Sequence, residues 1–432
     1  MNSTIPKYRY TVLALVFFAT TINYLDRQVI SLLKPVLEVE FHWTESDYSW
    51  IVIAFQASYA IGLLFFGRFI DKIGTKHGYA LSLVLWSLAA ISHVFAKTTL
   101  GFIAVRSFLG LSESGNFPAA VKTVAEWFPK KDRALATGIF NSGANIGAII
   151  APILVPLIWL AWGWRMAFVL TGSVGLLWLI FWYIFYEIPT KSKRVTKAEL
   201  DYINSDIEDQ PADDKTDKPT IKWVKLLTFR QTWAIISARI FSDPVWYFLL
   251  FWLPSFLKEE YGFIGTAVSM PIAVVYTFCC FGSIGGGWLS SYLIKHKWSV
   301  YKSRSTSLLT FALCVTPVMF SQYFGQFSPW FAVLLIGLAA AAHQAWSANV
   351  YTLASDMFPK NVVGSVVGIS SMFGTISGML MSFFVGYILD AYKLSGDIRI
   401  AYYIIFIICG LAYLLAWSLI KILAPKMKPV NA

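Results

Sequence analysis

Twelve apolar runs of about 20 residues follow one another along this chain, near 10–31, 46–66, 79–96, 99–120, 134–157, 164–186, 233–257, 268–291, 305–324, 329–353, 362–387 and 401–423. At a rise of about 1.5 Å per residue, a helix of that length crosses the roughly 30 Å hydrocarbon core of a bilayer with its backbone polar groups bonded internally. Soluble domains carry roughly 25% charged residues, whereas this chain has 14% charged, 57% hydrophobic and 17% aromatic residues. The pattern predicts an all-α polytopic membrane protein with twelve transmembrane helices.

The first run follows Lys7 and Arg9 as a signal peptide would. It is long, lacks a small-x-small cleavage site and continues into polar residues, so a retained helix is expected. Basic residues collect in alternate loops: Lys7 and Arg9; Arg68, Lys72 and Lys76; Lys130, Lys131 and Arg133; Lys295, Lys297, Lys302 and Arg304; Lys421, Lys426 and Lys428. Loops rich in Lys and Arg stay on the cytoplasmic side, which places both termini there. The net charge of +11 follows from this topology. No basic stripe is joined to stacking aromatics outside the membrane, so no nucleic-acid partner is expected. Cys279, Cys280, Cys314 and Cys409 fall in apolar runs without metal spacing and read as packing residues. No His-Glu-x-x-His, Cys/His cluster or appended catalytic domain is found, so neither an enzyme nor a cofactor is expected. A transporter-derived sensor would usually append a signalling segment, and the middle loop is short for one.

That middle loop, about 190–231, is the one long polar segment and separates six runs from six. It divides the chain into a bundle at 1–189, a cytoplasmic linker at 190–231 and a bundle at 232–432. Within it "TKAEL" offers Thr196 and Glu199 as a capping box for a short surface helix, and "DQPADDKTDKP" reads as a flexible linker. The two halves repeat. "EWFPKKDRALATGIF" from Glu126 and "DMFPKNVVGSVVGIS" from Asp356 align at a constant offset of 230 residues, and "KPVLEVEF" aligns with "LPSFLKEEY" at about 220. A parallel repeat of two six-helix bundles is a known transporter architecture, with its substrate site near the midplane between the halves.

Several polar residues interrupt these runs. In "NYLDRQVIS", Asn23 to Ser31, Tyr24 and Arg27 are three apart and share a helix face, while Asp26 points about 100° away. In "VRSFLGLSESGNFPAA", Arg106, Gly110 and Glu113 lie on one face, with Arg106 and Glu113 about 10 Å apart. A charge in the middle of a span costs at least about 2.5–3.5 kcal/mol on insertion scales. Such groups therefore face the bundle interior or a wet cavity. One reading is a salt bridge tying the fourth span to the first. The other is a proton-accepting Glu113 coupled to an arginine that grips a carboxylate bidentately.

In "AAHQAWSANVYTLASDMFP", His343 occupies the repeat position of Glu113 and is either a hydrogen-bonded structural residue or a titrating one. Gln344, Trp346 and Asn349 add amide and indole groups. Trp346 and Asn349, one turn apart, suit a sugar ring, which needs a flat apolar platform beside hydrogen-bonding groups. Asn141 and Asn145 on the fifth span are candidates for a cavity wall, while Gly138, Gly143, Gly147, Gly364, Gly368, Gly374 and Gly378 recur at helical spacing for close packing. In "ARIFSDPVWYFLLFWLP", Arg239 and Asp243 are one turn apart and expected to pair, Asp243-Pro244 could break the helix, and Trp246 and Tyr247 could enter a cavity. "GRFIDKIGTK" follows the second run. There Gly67 permits close helix contact, Asp71 can meet helix N-termini or a basic partner, and Gly74 turns the chain.

Together these segments resemble the anion:cation symporter branch of the major facilitator superfamily, and within it the hexuronate transporters most closely. The resemblance covers essentially the whole chain. It implies two pseudo-symmetric six-helix bundles that import a sugar-acid anion with protons, in the bacterial plasma (inner) membrane and as a monomer. Other organic anions such as galactonate or glucarate, and sodium coupling, are the alternatives. It implies that Arg27 binds the substrate carboxylate; Tyr24, Tyr59, Asn141, Tyr247, Gln344, Trp346 and Asn349 are the further candidate substrate contacts. Asp26 and Glu113 would handle protons, with Arg106 as the partner of Asp26 and His343 as a further coupling residue. Gly67, Asp71 and Gly74 would form a conformational latch, whose counterpart in the second half has Gly287 but Ser291 in place of the acid.

Overall fold

The computed structural model describes residues 7–205, 223–263, 269–394 and 396–430, and among these the regular structure is helical throughout. The first half contains α1 (Tyr8–Phe41), α2 (Glu45–Ile73), α3 (Thr75–Ser92), α4 (Thr99–Glu113), α5 (Asn116–Trp127), α6 (Lys130–Trp162) and α7 (Trp164–Phe185). Two short helices follow, α8 (Lys197–Ile203) and α9 (Trp223–Leu226). The second half contains α10 (Arg230–Tyr261), α11 (Ser269–Lys295), α12 (Val300–Val315), α13 (Ser321–Gly325), α14 (Pro329–Met357), α15 (Val363–Leu394) and α16 (Ile398–Leu423). Among the described residues nine helical segments are long and apolar enough to cross a membrane, and the two arms of α10 make a tenth. The other two of the twelve runs are α1 and the consecutive α4 and α5, which hold the buried charges Asp26, Arg106 and Glu113.

Where spans deviate from straight helices, proline chemistry accounts for it. The fourth run is broken after Glu113, because Pro118 has no N–H for the Ser114 carbonyl and Gly115 weakens the same turn. The ninth run ends as an α-helix at Val315, and a 3-10 turn over Thr316–Phe320 containing Pro317 leads into α13. The seventh differs from expectation. α10 runs through Pro244 without a break and bends by 52° between its arms Arg230–Leu249 and Trp252–Tyr261. The bend lies one turn before Pro254, whose ring displaces the carbonyl four residues back.

The chain forms two compact units, one of Met1–Leu226, Phe358–Ile369 and Asn431–Ala432, the other of Leu227–Met357 and Ser370–Val430. In the first unit α1 packs along α6 and α2 along α4. A Cβ added at Gly147 of α6 would sit 2.5 Å from the Thr21 carbonyl oxygen of α1, and one at Gly143 would sit 2.6 Å from that of Phe17. Those glycines therefore set the close approach that small residues permit between membrane helices. The segment Phe358–Ile369 joins this unit through Asp71, which accepts hydrogen bonds from the backbone N–H groups of Gly364 (3.1 Å) and Ser365 (2.6 Å). These are unpaired donors in the first turn of α15, where a carboxylate is favoured. Lys122 donates to the same carboxylate at 3.0 Å, so Asp71 meets both a helix N-terminus and a basic partner. Gly74 has φ +88° and joins α2 to α3 in a conformation that a side chain would strain.

The sequence repeat is visible in the helix ends. α5 stops at Trp127 and α14 at Met357, each just before a Phe-Pro-Lys step. One residue earlier, Glu126 accepts from Thr75 Oγ1 at 2.7 Å in the first unit, and Asp356 accepts from Arg304 Nε at 2.8 Å in the second. The same register thus ties neighbouring spans together in both units, once by a hydroxyl and once by a buried ion pair.

α8 forms with Thr196 as its N-cap, accepting from Glu199 N at 3.3 Å. Glu199 does not complete the capping box. It is fully buried and accepts from the backbone N–H groups of Tyr8 (3.2 Å) and Arg9 (3.0 Å), with the Arg9 guanidinium at 3.3 Å. Capping α1 satisfies two of that helix's unpaired donors, so the acid of this supposedly superficial helix is internal. The "DQPADDKTDKP" stretch lies outside the described residues.

Candidate functional site

In the first unit the charged groups of α1 and α4 converge. Arg27 Nε donates to Glu113 Oε2 at 3.0 Å, and Nη2 lies 3.0 Å from the same oxygen. The guanidinium carbon is 4.7 Å from the ring centroids of both Tyr24 and Tyr59 and 5.1 Å from that of Phe55. Aromatic faces attract a planar cation, and more strongly when water is excluded. The Glu113 side chain is wholly buried while that of Arg27 is 22% exposed, so the arginine is the accessible member of the pair. Glu113 Oε1 has no hydrogen-bond partner, which leaves half of that carboxylate unsatisfied.

The expected pairing of Asp26 with Arg106 is not formed. Asp26 is buried with neither carboxylate oxygen hydrogen-bonded, and Arg106 lies with its guanidinium carbon 4.4 Å from the Phe55 centroid and its Nε and Nη1 unpartnered. Helical projection separates Asp26 from Arg27 correctly. It does not convey that Arg27 is long enough to reach α4 and take Glu113 itself. The ion pair between the first and fourth spans therefore exists, made by different members of the set. Phe55, whose ring faces both guanidinium groups, was absent from the sequence-level candidates. Its signal was its place four residues before Tyr59 on a run facing charged spans.

In the second unit, Arg239 Nη1 is 3.1 Å from Asp243 Oδ2, and its guanidinium carbon lies 3.9 Å from the Tyr351 centroid. The expected i,i+4 pair is thus present. His343 is buried, stacked on Trp246 at 5.0 Å with an interplanar angle of 6°, and its Nδ1 is 2.5 Å from the Tyr413 hydroxyl. That hydroxyl also donates to the Ser242 carbonyl at 3.3 Å. Tyr413 and Ser242 were not legible as partners, since they lie on different helices, α16 and α10, 171 residues apart. Trp246 with Leu253, Ile272 and Tyr276 lines a small cleft between α10 and α11.

The remaining candidates are inside the helix packing. Asn349 is fully buried, and its Nδ2 donates to the Gly286 and Ala345 carbonyls at 3.1 and 2.9 Å. Trp346 is fully buried with its ring edge-on to Tyr413 at 5.2 Å. These contacts tie α14 to α11 and α16. Gln344 and Asn141 are buried in α14 and α6. Tyr247 lies against Gly378 of α15, where a Cβ would meet its ring at 2.5 Å.

Helix bundles that bury arginine–carboxylate pairs inside apolar spans are the construction of polytopic transporters. Residues 16–382 match the Major Facilitator Superfamily, and the chain belongs to that family of multi-pass membrane transporters. It is 32% identical over 391 residues to a hexuronate transporter of Escherichia coli (strain K12), covering 90% of this chain and 89% of that protein. It is 34% identical over 288 residues to a galacturonate transporter of Dickeya chrysanthemi, covering 67% of this chain and 83% of the relative. Among solved structures, the proton:xylose symporter XylE bound to 6-bromo-6-deoxy-D-glucose superposes with a TM-score of 0.78 at 17% identity, covering 98% of this chain and 97% of that one. That similarity speaks to the fold alone.

Proposed function

We propose that this protein imports sugar-acid anions, hexuronates such as glucuronate or galacturonate, across a bacterial inner membrane by proton symport through alternating access, with both termini cytoplasmic. The observation that carries this reading is the Arg27–Glu113 pair, whose arginine is the exposed member and stands among tyrosine rings. A substrate carboxylate competes with Glu113 for the guanidinium fork. When it wins, Glu113 is left as a buried carboxylate without its cation, a state that costs several kcal/mol unless a proton is taken up. Binding of the anion and binding of the proton are thereby linked at one residue. The relatives named as hexuronate and galacturonate transporters support the substrate class.

Energetics favour such coupling. Moving one negative charge inward against about 150 mV, inside negative, costs about 3.5 kcal/mol, and one accompanying proton removes that cost. On this reading Asp26, buried without a hydrogen-bond partner, is a second proton acceptor, and Asp71 holds the latch by capping α15. The test is binding of glucuronate to purified Arg27→Ala. The variant is expected to lose affinity at least about thirtyfold, because truncating one partner of a buried charged pair costs about 2–5 kcal/mol. Wild-type affinity in that variant would remove Arg27 from the site.

A further inference from the structure

Between α7 and α8 the chain reads "PTKSKRVTK", Pro189 to Lys197, which puts Lys191, Lys193, Arg194 and Lys197 within seven residues. All four are exposed, and so is Lys7 just before α1. Such a run after a span marks sidedness, but here it is also held in place. Arg194 Nη1 donates to the Ile184 carbonyl at 2.6 Å and to the Tyr8 hydroxyl oxygen at 3.0 Å, and its guanidinium carbon lies 4.8 Å from the Phe185 ring centroid. The Tyr8 hydroxyl donates in turn to the Phe185 carbonyl at 2.5 Å. Those two carbonyls are unpaired acceptors in the last turn of α7, where a cation is favoured. On the other side of the run, Glu199 of α8 caps α1. The cations are therefore pinned to the ends of two spans.

Their depth follows from helix length. α7 has 22 residues, so it is about 33 Å long and its last turn stands at the headgroup level of a roughly 30 Å core. In its last two turns Phe181, Tyr183 and Ile184 are exposed, which sets an apolar surface beside the cations. Acids do little to cancel them. Glu187 is bonded to Lys76 at 2.6 Å and Glu199 is buried against Arg9, which leaves Asp201 as the exposed acid of α8.

We propose that Lys7, Lys191, Lys193, Arg194 and Lys197 form a binding surface for the phosphate headgroups of anionic phospholipids, with an acyl chain lying along the exposed side of α7. Clusters of lysine and arginine beside a span attract anionic lipid, each residue contributing about fivefold in binding. The surface lies wholly within the first unit and does not depend on which anion is carried. Because its residues are fixed by the capping of α1 and α7, a lipid held there also stabilises those helix ends by binding the folded state.

The experiment titrates the purified full chain in detergent with phosphatidylglycerol or phosphatidylcholine of matched acyl chains and counts bound lipid by native mass spectrometry. The acids of "DQPADDKTDKP", outside the described residues, are thus present throughout. Wild type is expected to bind phosphatidylglycerol at least about tenfold more tightly, with a preference that falls as salt is raised. Lys191→Gln with Lys193→Gln and Lys197→Gln should weaken phosphatidylglycerol binding at least about tenfold and leave phosphatidylcholine unchanged. Lys295→Gln with Lys297→Gln and Lys302→Gln removes the same charge from exposed positions between α11 and α12 and should keep the preference. A wild-type thermal midpoint higher in phosphatidylglycerol nanodiscs than in phosphatidylcholine ones is the second expected reading and needs no variant. Equal affinity of wild type for both lipids, equal midpoints, a preference insensitive to salt, or equal losses in the two triple variants overturns the inference. Displacement of phosphatidylglycerol by inorganic phosphate beyond that by chloride of equal ionic strength makes this a small-anion site and overturns the lipid assignment. Each of these results leaves the sugar-acid reading standing.

Discussion

In the first unit Arg27 reaches from α1 to Glu113 on α4, whereas in the second Arg239 meets Asp243 one turn along the same helix. Both guanidinium groups lie over tyrosine rings, at 4.7 Å from Tyr24 and Tyr59 and at 3.9 Å from Tyr351. The connectivity separates them. A pair that joins two helices gives an incoming carboxylate something to break, and breaking it frees one helix from another. A pair within one helix has no second element to release. On the proposed reading, similar buried chemistry serves coupling in one unit and a fixed local charge pattern in the other.

A third pair shows what an ion pair does when it only holds helices together. Arg304 and Asp356 have side chains 0% and 4% exposed, and Arg304 Nη1 also donates to Ser290 Oγ at 2.6 Å. Asp356→Asn is expected to destabilise the protein by about 3–5 kcal/mol, read as a large drop in the thermal midpoint in detergent, with the pH dependence of transport unchanged. Its repeat counterpart Glu126 is held by the hydroxyl of Thr75 and by Tyr186 at 2.6 Å, so Glu126→Gln should cost less, about 1–3 kcal/mol. Equal losses would show that the contrast between ion pairs and neutral bonds carries no weight here.

The smallest effect is expected at the exposed margin of the first unit. Lys76 Nζ is 2.6 Å from Glu187 Oε2, and its hydrogen bond holds the Glu187 carboxyl below the ordinary carboxylate range. A carboxylate depressed by folding contributes stability that is fully present above its unfolded value of about 4.3 and is lost as pH falls through the lower folded value. The Glu187 side chain is 37% exposed, so solvent screening limits the contribution to below about 1 kcal/mol. Glu187→Gln should lower the thermal midpoint slightly at pH 7 and not at pH 3. A deficit that persists at pH 3 would mean that packing rather than charge accounts for it.

The spans and the i,i+4 pair at Arg239 were legible because each depends on spacing within one helix, as does the three-residue relation of Tyr24 to Arg27. The repeat, and with it the pairing of Glu113 with His343, was legible because it is one constant offset along the chain. What escaped were choices between helices. Which of two arginines takes Glu113 depends on side-chain reach across a helix crossing, and so does the capping of α1 by Glu199 from a segment 190 residues away. The bend of α10 was placed one proline too early, since Pro244 and Pro254 carry the same local signal and only packing selects between them.

The account turns on Glu113 as the group that links the anion to the proton. The direct measurement is Glu113→Gln in proteoliposomes, assayed for glucuronate exchange between equal internal and external pools and for accumulation under an inward proton gradient. A glutamine keeps a hydrogen-bonding group beside Arg27 but exchanges no proton, so the variant is predicted to exchange glucuronate and fail to concentrate it. Accumulation at the wild-type level would contradict the account.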